Sequence, residues 1–210
     1  MTRGTFITFE GPEGAGKTTQ IARLADTLRA AGHKVLLTRE PGGTHEGEGV
    51  RASLLDERAT WSPLAEALLM NAARDAHMGQ VILPALARGE TVLSDRFAHS
   101  TRAYQGGGGK VDPALLAAIE QAVCTRMPDL TLIFDLPPEL GLARAGERGR
   151  ADRFEAKGMD YHRAVAAAFR QIAEEDPACV RGDADGSIDK VSEEILNSIR
   201  AHLPSLLSGS

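Results

Sequence analysis

The chain has 210 residues, 42% hydrophobic and 25% charged, a size and balance that fit one globular domain with a substantial core. Lys plus Arg number 24 against 29 for Asp plus Glu, a formal charge of −5, which argues against a globally basic protein that grips nucleic acid polymers. Aromatics at 4% are too sparse for a base-stacking platform, and no apolar run approaches the roughly 18–20 residues of a membrane span. The N-terminus shows a strand pattern and no leader pattern. Cys124 and Cys179 stand in no CxxC or His-rich neighbourhood and read as reduced, buried thiols of a cytoplasmic protein.

In chain order, Thr5–Glu10 is a β-branched and aromatic run ending at Gly11, the pattern of a buried strand. Lys17–Ala31 follows with Ile21, Leu24, Ala25 and Leu28 at helical spacing, and Gly32 is its stop. Lys34–Thr38 is the second strand, closed by the turn Glu40-Pro41-Gly42-Gly43. A short helix is expected over 47–55. A long one runs from Ser62 to Arg88, with Ser62 as cap and Pro63 at its first position. Pro84 should kink or shorten it. Thr91–Ser94 and Leu130–Leu136 read as strands, separated by a helix over Pro113–Cys124 that Asp112 caps, while Gly106–Gly109 reads as a loop. Helices over Pro138–Ala145, Met159–Glu175 and Ile188–Leu203 and a short strand over Ala178–Arg181 complete the chain. Apolar strands alternating with helices specify a parallel sheet flanked by helices on both faces, in a single α/β domain over residues 1–210.

Gly11-Pro12-Glu13-Gly14-Ala15-Gly16-Lys17-Thr18 fits G-x-x-x-x-G-K-[ST] between a predicted strand and a predicted helix. Glycines let the backbone wrap a phosphate, and the following helix adds the positive end of its dipole. Lys17 is then expected to bridge the β- and γ-phosphates of ATP, with the Thr18 hydroxyl on Mg²⁺. No [NT]-K-x-D guanine motif occurs, which leaves small kinases ahead of GTPases. Arg39 and Arg96 stand just past strand ends, where open parallel sheets bind ligands, and a guanidinium there can hold a phosphate through paired hydrogen bonds. Asp95 ends an apolar strand and can serve the metal through water. Asp135, at another strand end, is assigned a structural role.

The chain resembles the thymidylate kinase family along nearly its whole length. The resemblance rests on Phe9-Glu10-Gly11 and its phosphate loop, Thr38-Arg39-Glu40-Pro41-Gly42-Gly43-Thr44, Ala72-Ala73-Arg74, Asp95-Arg96, Ser100-Thr101-Arg102-Ala103-Tyr104-Gln105-Gly106, Asp129–Asp135 and Arg144–Arg153. It implies a P-loop NTPase-type fold, nucleoside monophosphate kinase-like with a short lid at about 144–155, and transfer of a phosphoryl group from ATP to dTMP. It assigns Arg39 and Arg96 to the dTMP phosphate. Glu10 would stand between the nucleotides, orienting an arginine or a metal-bound water. Arg74, Ser100, Thr101, Tyr104 and Gln105 would recognise base and sugar, with Tyr104 placed against a ribose 2′-OH. It also suggests a cis Glu40–Pro41 bond and a homodimer built on the helix from Ser62. Met70 stands where the family commonly has a base-stacking Phe. Gly14 occupies the loop position where some members have an arginine, so catalytic arginines are expected from the lid: Arg148 and Arg153, with Arg144 and Arg150 beside them. The rival readings are another small nucleotide or deoxynucleoside kinase, and a non-catalytic ATP-binding regulatory module.

Overall fold

The computed structural model describes residues 4–147 and 152–207. The described strands, β1 (Phe6–Glu10), β2 (Val35–Arg39), β3 (Thr91–Asp95), β4 (Leu130–Asp135) and β5 (Cys179–Asp183), form one parallel sheet in the order β2-β3-β1-β4-β5. The central strand β1 is buried throughout, and the edge strands β2 and β5 are partly exposed. Ile7 and Phe9 point to one face, into a core shared with Leu24 and Leu28 of α1 (Lys17–Ala30) and Ile195 and Ile199 of α9 (Ile188–His202). Phe6 points to the other face, onto Met78, Ile82 and Phe97. Full burial of such a side chain is worth about 1.5–3 kcal/mol. Burial on both faces is why these strands read as near-continuous apolar runs.

Asp95 pairs with both Phe9 and Arg39, so the C-terminal ends of β1, β2 and β3 lie level. Next to these ends stand α2 (His45–Leu55) and α3 (Pro63–His77). Ser62 caps α3 by accepting from Ala65 N at 3.2 Å, and Pro63 opens it, as expected.

The α-helix from Pro63 stops at His77, short of the expected Arg88, but Pro84 does not end the helical run. A π-helical turn over Met78–Ile82 leads into α4 (Leu83–Ala87), with right-handed helical backbone at the junction. Pro84 has no N–H for the Gln80 carbonyl and its ring crowds that group. The preceding turn widens instead, so that Leu83 N–H donates to Met78 O.

A second correction concerns Gly106–Gly109. After α5 (Ala98–Thr101), residues Arg102–Gly108 form another π-helical turn, and Gly109 N donates to Tyr104 O at 2.9 Å. The glycines are there for packing: a Cβ on Gly107 would lie 2.6 Å from Ala168 Cβ of α8 (Met159–Glu175). The remaining described helices are α6 (Pro113–Val123), α7 (Pro138–Gly146) and a 3₁₀ turn over Pro204–Leu206, and Asp112 caps α6 by accepting from Ala114 N at 2.8 Å.

Candidate active site

The phosphate loop leaves β1 at Gly11 and enters α1 at Lys17. Gly11, Gly14 and Gly16 have φ of 133°, 71° and 82°, values that only glycine takes readily. A Cβ on Gly14 would also collide with the Gly141 carbonyl, so this loop has no room for an arginine. Lys17 is buried, and its ammonium is held by the loop's own carbonyls, Pro12 O at 2.8 Å and Gly11 O at 3.2 Å. Burial, reinforced by Arg96, pulls its pKa down to about 8. Thr18 Oγ1 donates to Asp95 Oδ2 at 3.1 Å. Two hard oxygen donors at the loop suit a divalent magnesium-like ion.

The loop opens into a cleft of about 300 Å³. The elements at the sheet's C-terminal edge supply its cations: Lys17, Arg39, Arg51, Arg74 and Arg96. Arg96 is the structural centre. It sits at φ 72°, a strained conformation for a non-glycine residue that the surroundings must hold in place. Its Nη1 donates to Gly11 O and to Ser100 Oγ, both at 3.0 Å, and its Nη2 donates to Glu13 and, at 3.1 Å, to Tyr104 Oη. Burial opposes its charge, but Glu13 and the neighbouring acidic groups raise its pKa above that of an ordinary arginine. One guanidinium thereby joins the phosphate loop to the second half of the cleft.

Glu10 does not line the cleft. It is fully buried beneath it, accepting from Phe97 N at 2.8 Å and from Ser100 Oγ at 2.5 Å, and burial raises its pKa. Its reach to Arg96 is therefore indirect, through Ser100. Arg39 is half-exposed and paired with Glu48 at 2.7 Å.

Arg74 is almost fully buried and donates four hydrogen bonds: Nε to Glu40 at 2.7 Å, Nη1 to Asn71 at 2.9 Å, and Nη2 to Thr101 at 3.0 Å and Phe97 O at 3.1 Å. A guanidinium has five N–H groups, so one remains for a ligand in the cleft. Met70, Ser100, Thr101, Tyr104 and Gln105 all line the same cavity. Gln105 Nε2, however, is directed to Glu66 at 3.0 Å.

The lid arginines divide. Arg148 and Arg150 lie outside the described residues. Arg144 turns away from the cleft to Asp185 and to Ala184 O. Arg153, expected among the catalytic arginines, does not line the cleft. It pairs with the buried Glu66 at 2.8 Å, donates to Leu54 O at 2.9 Å and lies over Phe154. A carboxylate as buried as Glu66 needs such cations, and that demand fixes Arg153.

Sequence reasoning missed Arg51 and the Glu40–His77 pair. Arg51 lines the cleft and donates to Pro41 O at 3.2 Å, and burial, with Arg39, lowers its pKa. Its signal was present: it lies three and four residues before Leu54 and Leu55, on the apolar side of α2. Glu40, which precedes the cis Pro41, accepts from Arg74 and meets His77 Nδ1 at 3.0 Å; His77 Nε2 in turn meets Thr38 Oγ1 at 2.6 Å.

Residues 9–195 match the family model for thymidylate kinase. The thymidylate kinase of Caulobacter vibrioides is 54% identical over 198 residues, 93% of this chain and 95% of that protein. That of Pseudomonas fluorescens is 53% identical over 209 residues, 97% of each chain. The crystal structure of thymidylate kinase from Ehrlichia chaffeensis superposes with a TM-score of 0.77 at 33% identity, over 94% of this chain and 99% of that one. A phosphate loop facing a second, arginine-lined subsite agrees with these likenesses, and the chain belongs to the thymidylate kinase family, the phosphotransferases that act as nucleoside monophosphate kinases.

Proposed function

We propose that the chain transfers the γ-phosphoryl group of ATP to dTMP, giving dTDP and ADP, with Mg²⁺ as the metal, in the cytoplasm and as one P-loop kinase domain. The observation behind this reading is Arg96, whose guanidinium bonds the phosphate loop at Gly11 O and also faces the subsite of Ser100 and Tyr104. The acceptor phosphate is already a nucleophile near neutral pH, so the protein's task is to hold two anions in line and exclude water.

Gly11–Thr18 would cradle the ATP phosphates, with Lys17 moving from the loop carbonyls onto the β- and γ-oxygens. Arg39 would exchange Glu48 for the dTMP phosphate, and Arg96 would hold that phosphate from the loop side. Arg51 adds a further cation on the same wall. Glu10 acts as a positioning residue through Ser100. Thr18 and Asp95 would hold the metal, which when bound neutralises charge on the β- and γ-phosphates. Arg74 offers its remaining N–H to the base, Met70 covers the ring, and Tyr104 packs at the sugar.

The closed Gly14 position supports a lid arginine as the extra catalytic cation. Arg153 would have to abandon Glu66 to serve, which leaves Arg148 as the lid arginine of this reading. The exposed Leu64 and Leu68 of α3 and Leu115 of α6 support a homodimer through that face. Among the described residues no helix is long and apolar enough to cross a membrane.

A coupled ADP-release assay with Mg-ATP and a panel of nucleoside monophosphates and nucleosides tests the substrate assignment. The highest kcat/KM is expected with dTMP. Preference for thymidine, CMP or GMP would overturn it.

A further inference from the structure

Three side chains from separate elements meet with their donor atoms near one another. His99 lies on α5, Asp176 ends α8 and Cys179 opens β5. They are the one group of three potential metal ligands among the described residues, with ligand atoms all within 4.8 Å of one another. Neither cysteine showed a metal-ligand spacing in the sequence, because this group draws its members from positions 99, 176 and 179.

The spacings are wider than a tight hydrogen-bonded triad would have. His99 Nε2 lies 3.3 Å from Asp176 Oδ2 and 3.8 Å from Cys179 Sγ. Zinc bonds of about 2.0–2.2 Å to N or O and about 2.3 Å to S, at tetrahedral angles, place ligand atoms about 3.3–3.6 Å apart. The two separations bracket that range. His99 is 1% exposed, and its Nδ1 is buried with no hydrogen-bond partner. The ring is thus held from its Nε2 side alone, where Asp176 and Cys179 lie. Asp176 is 29% exposed, which gives an ion a path in and leaves room for a water as fourth ligand.

We propose that His99 Nε2, Asp176 Oδ2 and Cys179 Sγ form a binding site for Zn²⁺, separate from the Thr18–Asp95 metal site. The donor set of one imidazole, one thiolate and one carboxylate favours Zn²⁺ over Mg²⁺, which prefers oxygen. Burial pushes the Cys179 thiol up to about 12, while its hydrogen bond to His99 holds Asp176 down at about 2. Asp176 is therefore already an anionic ligand. Cys179 becomes one as Zn²⁺ displaces its proton, forming the Zn–S bond and releasing H⁺ to solvent. The other charges that bear on the group are Glu10 and Arg102, the latter paired with Glu120. Since α5 also presents Ser100 and Thr101 to the cleft, the ion would tie the substrate-facing helix to the start of β5.

The test uses the full chain, stripped with chelator, saturated with Mg²⁺ and titrated with Co²⁺. One equivalent is expected to produce a near-ultraviolet thiolate-to-cobalt band with the visible bands of tetrahedral cobalt, and Zn²⁺ should then bleach both. Cys124→Ser should keep the band and Cys179→Ser should lose it. His99→Gln should weaken zinc affinity by at least about a hundredfold, and the isosteric Asp176→Asn by at least about tenfold. Should Cys179→Ser fail to fold by circular dichroism, the His99 and Asp176 variants decide. Absence of a thiolate band in the wild-type chain, its survival in folded Cys179→Ser, or unchanged affinity in both other variants would overturn the proposal.

Discussion

Lys17 shows how a phosphate loop prepares a cation before its ligand arrives. The buried ammonium rests on two carbonyls, and burial holds its pKa at about 8, well under its ordinary value of 10.5. Near pH 8 a large fraction of the free enzyme therefore carries a neutral Lys17. Triphosphate binding favours the charged form and must draw a proton from solvent. Calorimetric titration of ATP at pH 8, in buffers of different ionisation enthalpy, should show uptake of up to about half a proton. The uptake should vanish at pH 6.5, where Lys17 is already charged, and in Lys17→Met. Affinity for ATP should fall as pH rises through 8. Arg74 has a different economy of bonds. Four of its N–H groups are committed to protein acceptors, so its orientation is set before any base enters.

At the scale of elements, the two π-helical turns deliver side chains that ordinary helical spacing would not. The turn over Arg102–Gly108 places Tyr104 and Gln105 toward the cleft and fits its glycines against α8. Gly107→Ala should therefore crowd Ala168, costing about 1–3 kcal/mol in chemical denaturation. The same change should raise KM for dTMP, since Tyr104 shares the turn.

The strands and most helix starts were legible in the sequence. Thr5–Glu10 and Leu130–Leu136 are apolar because both faces are covered, and Ser62-Pro63 and Asp112-Pro113 announce their own caps. The π turns were not legible, because a widened turn leaves the hydrophobic period nearly unchanged over so few residues. The Thr38–His77–Glu40–Arg74 chain was hidden for another reason. Its members lie up to 39 residues apart and become partners only when β2 and α3 meet. Arg153 misled because a lid-like cluster of arginines says nothing of Glu66, the buried carboxylate that claims one of them.

For the whole molecule, Arg148 is proposed to carry the lid's catalytic charge, whereas Arg153 is anchored on Glu66. Arg148→Ala should lower kcat about a hundredfold or more with little change in stability. Arg153→Ala should instead cost roughly 3 kcal/mol in denaturation, because it strips a partner from buried Glu66. Association belongs at the same scale. Leu68 is 51% exposed on α3, and if the proposed homodimer forms through that face, Leu68→Glu should yield monomers in light scattering where the wild-type chain gives dimers. The net charge of −5 conceals the fact that Lys17, Arg39, Arg51, Arg74 and Arg96 all line one cleft. In the proposed reading, that convergence, tied together by Arg96, offsets the repulsion between two anionic nucleotides. Steady-state kinetics of Arg96→Ala, with ATP affinity measured in parallel by titration, tests it most directly. A fall in kcat/KM for dTMP of about a thousandfold is expected, exceeding any loss of ATP affinity by at least about tenfold. Turnover of dTMP within tenfold of the wild-type rate would contradict the assignment.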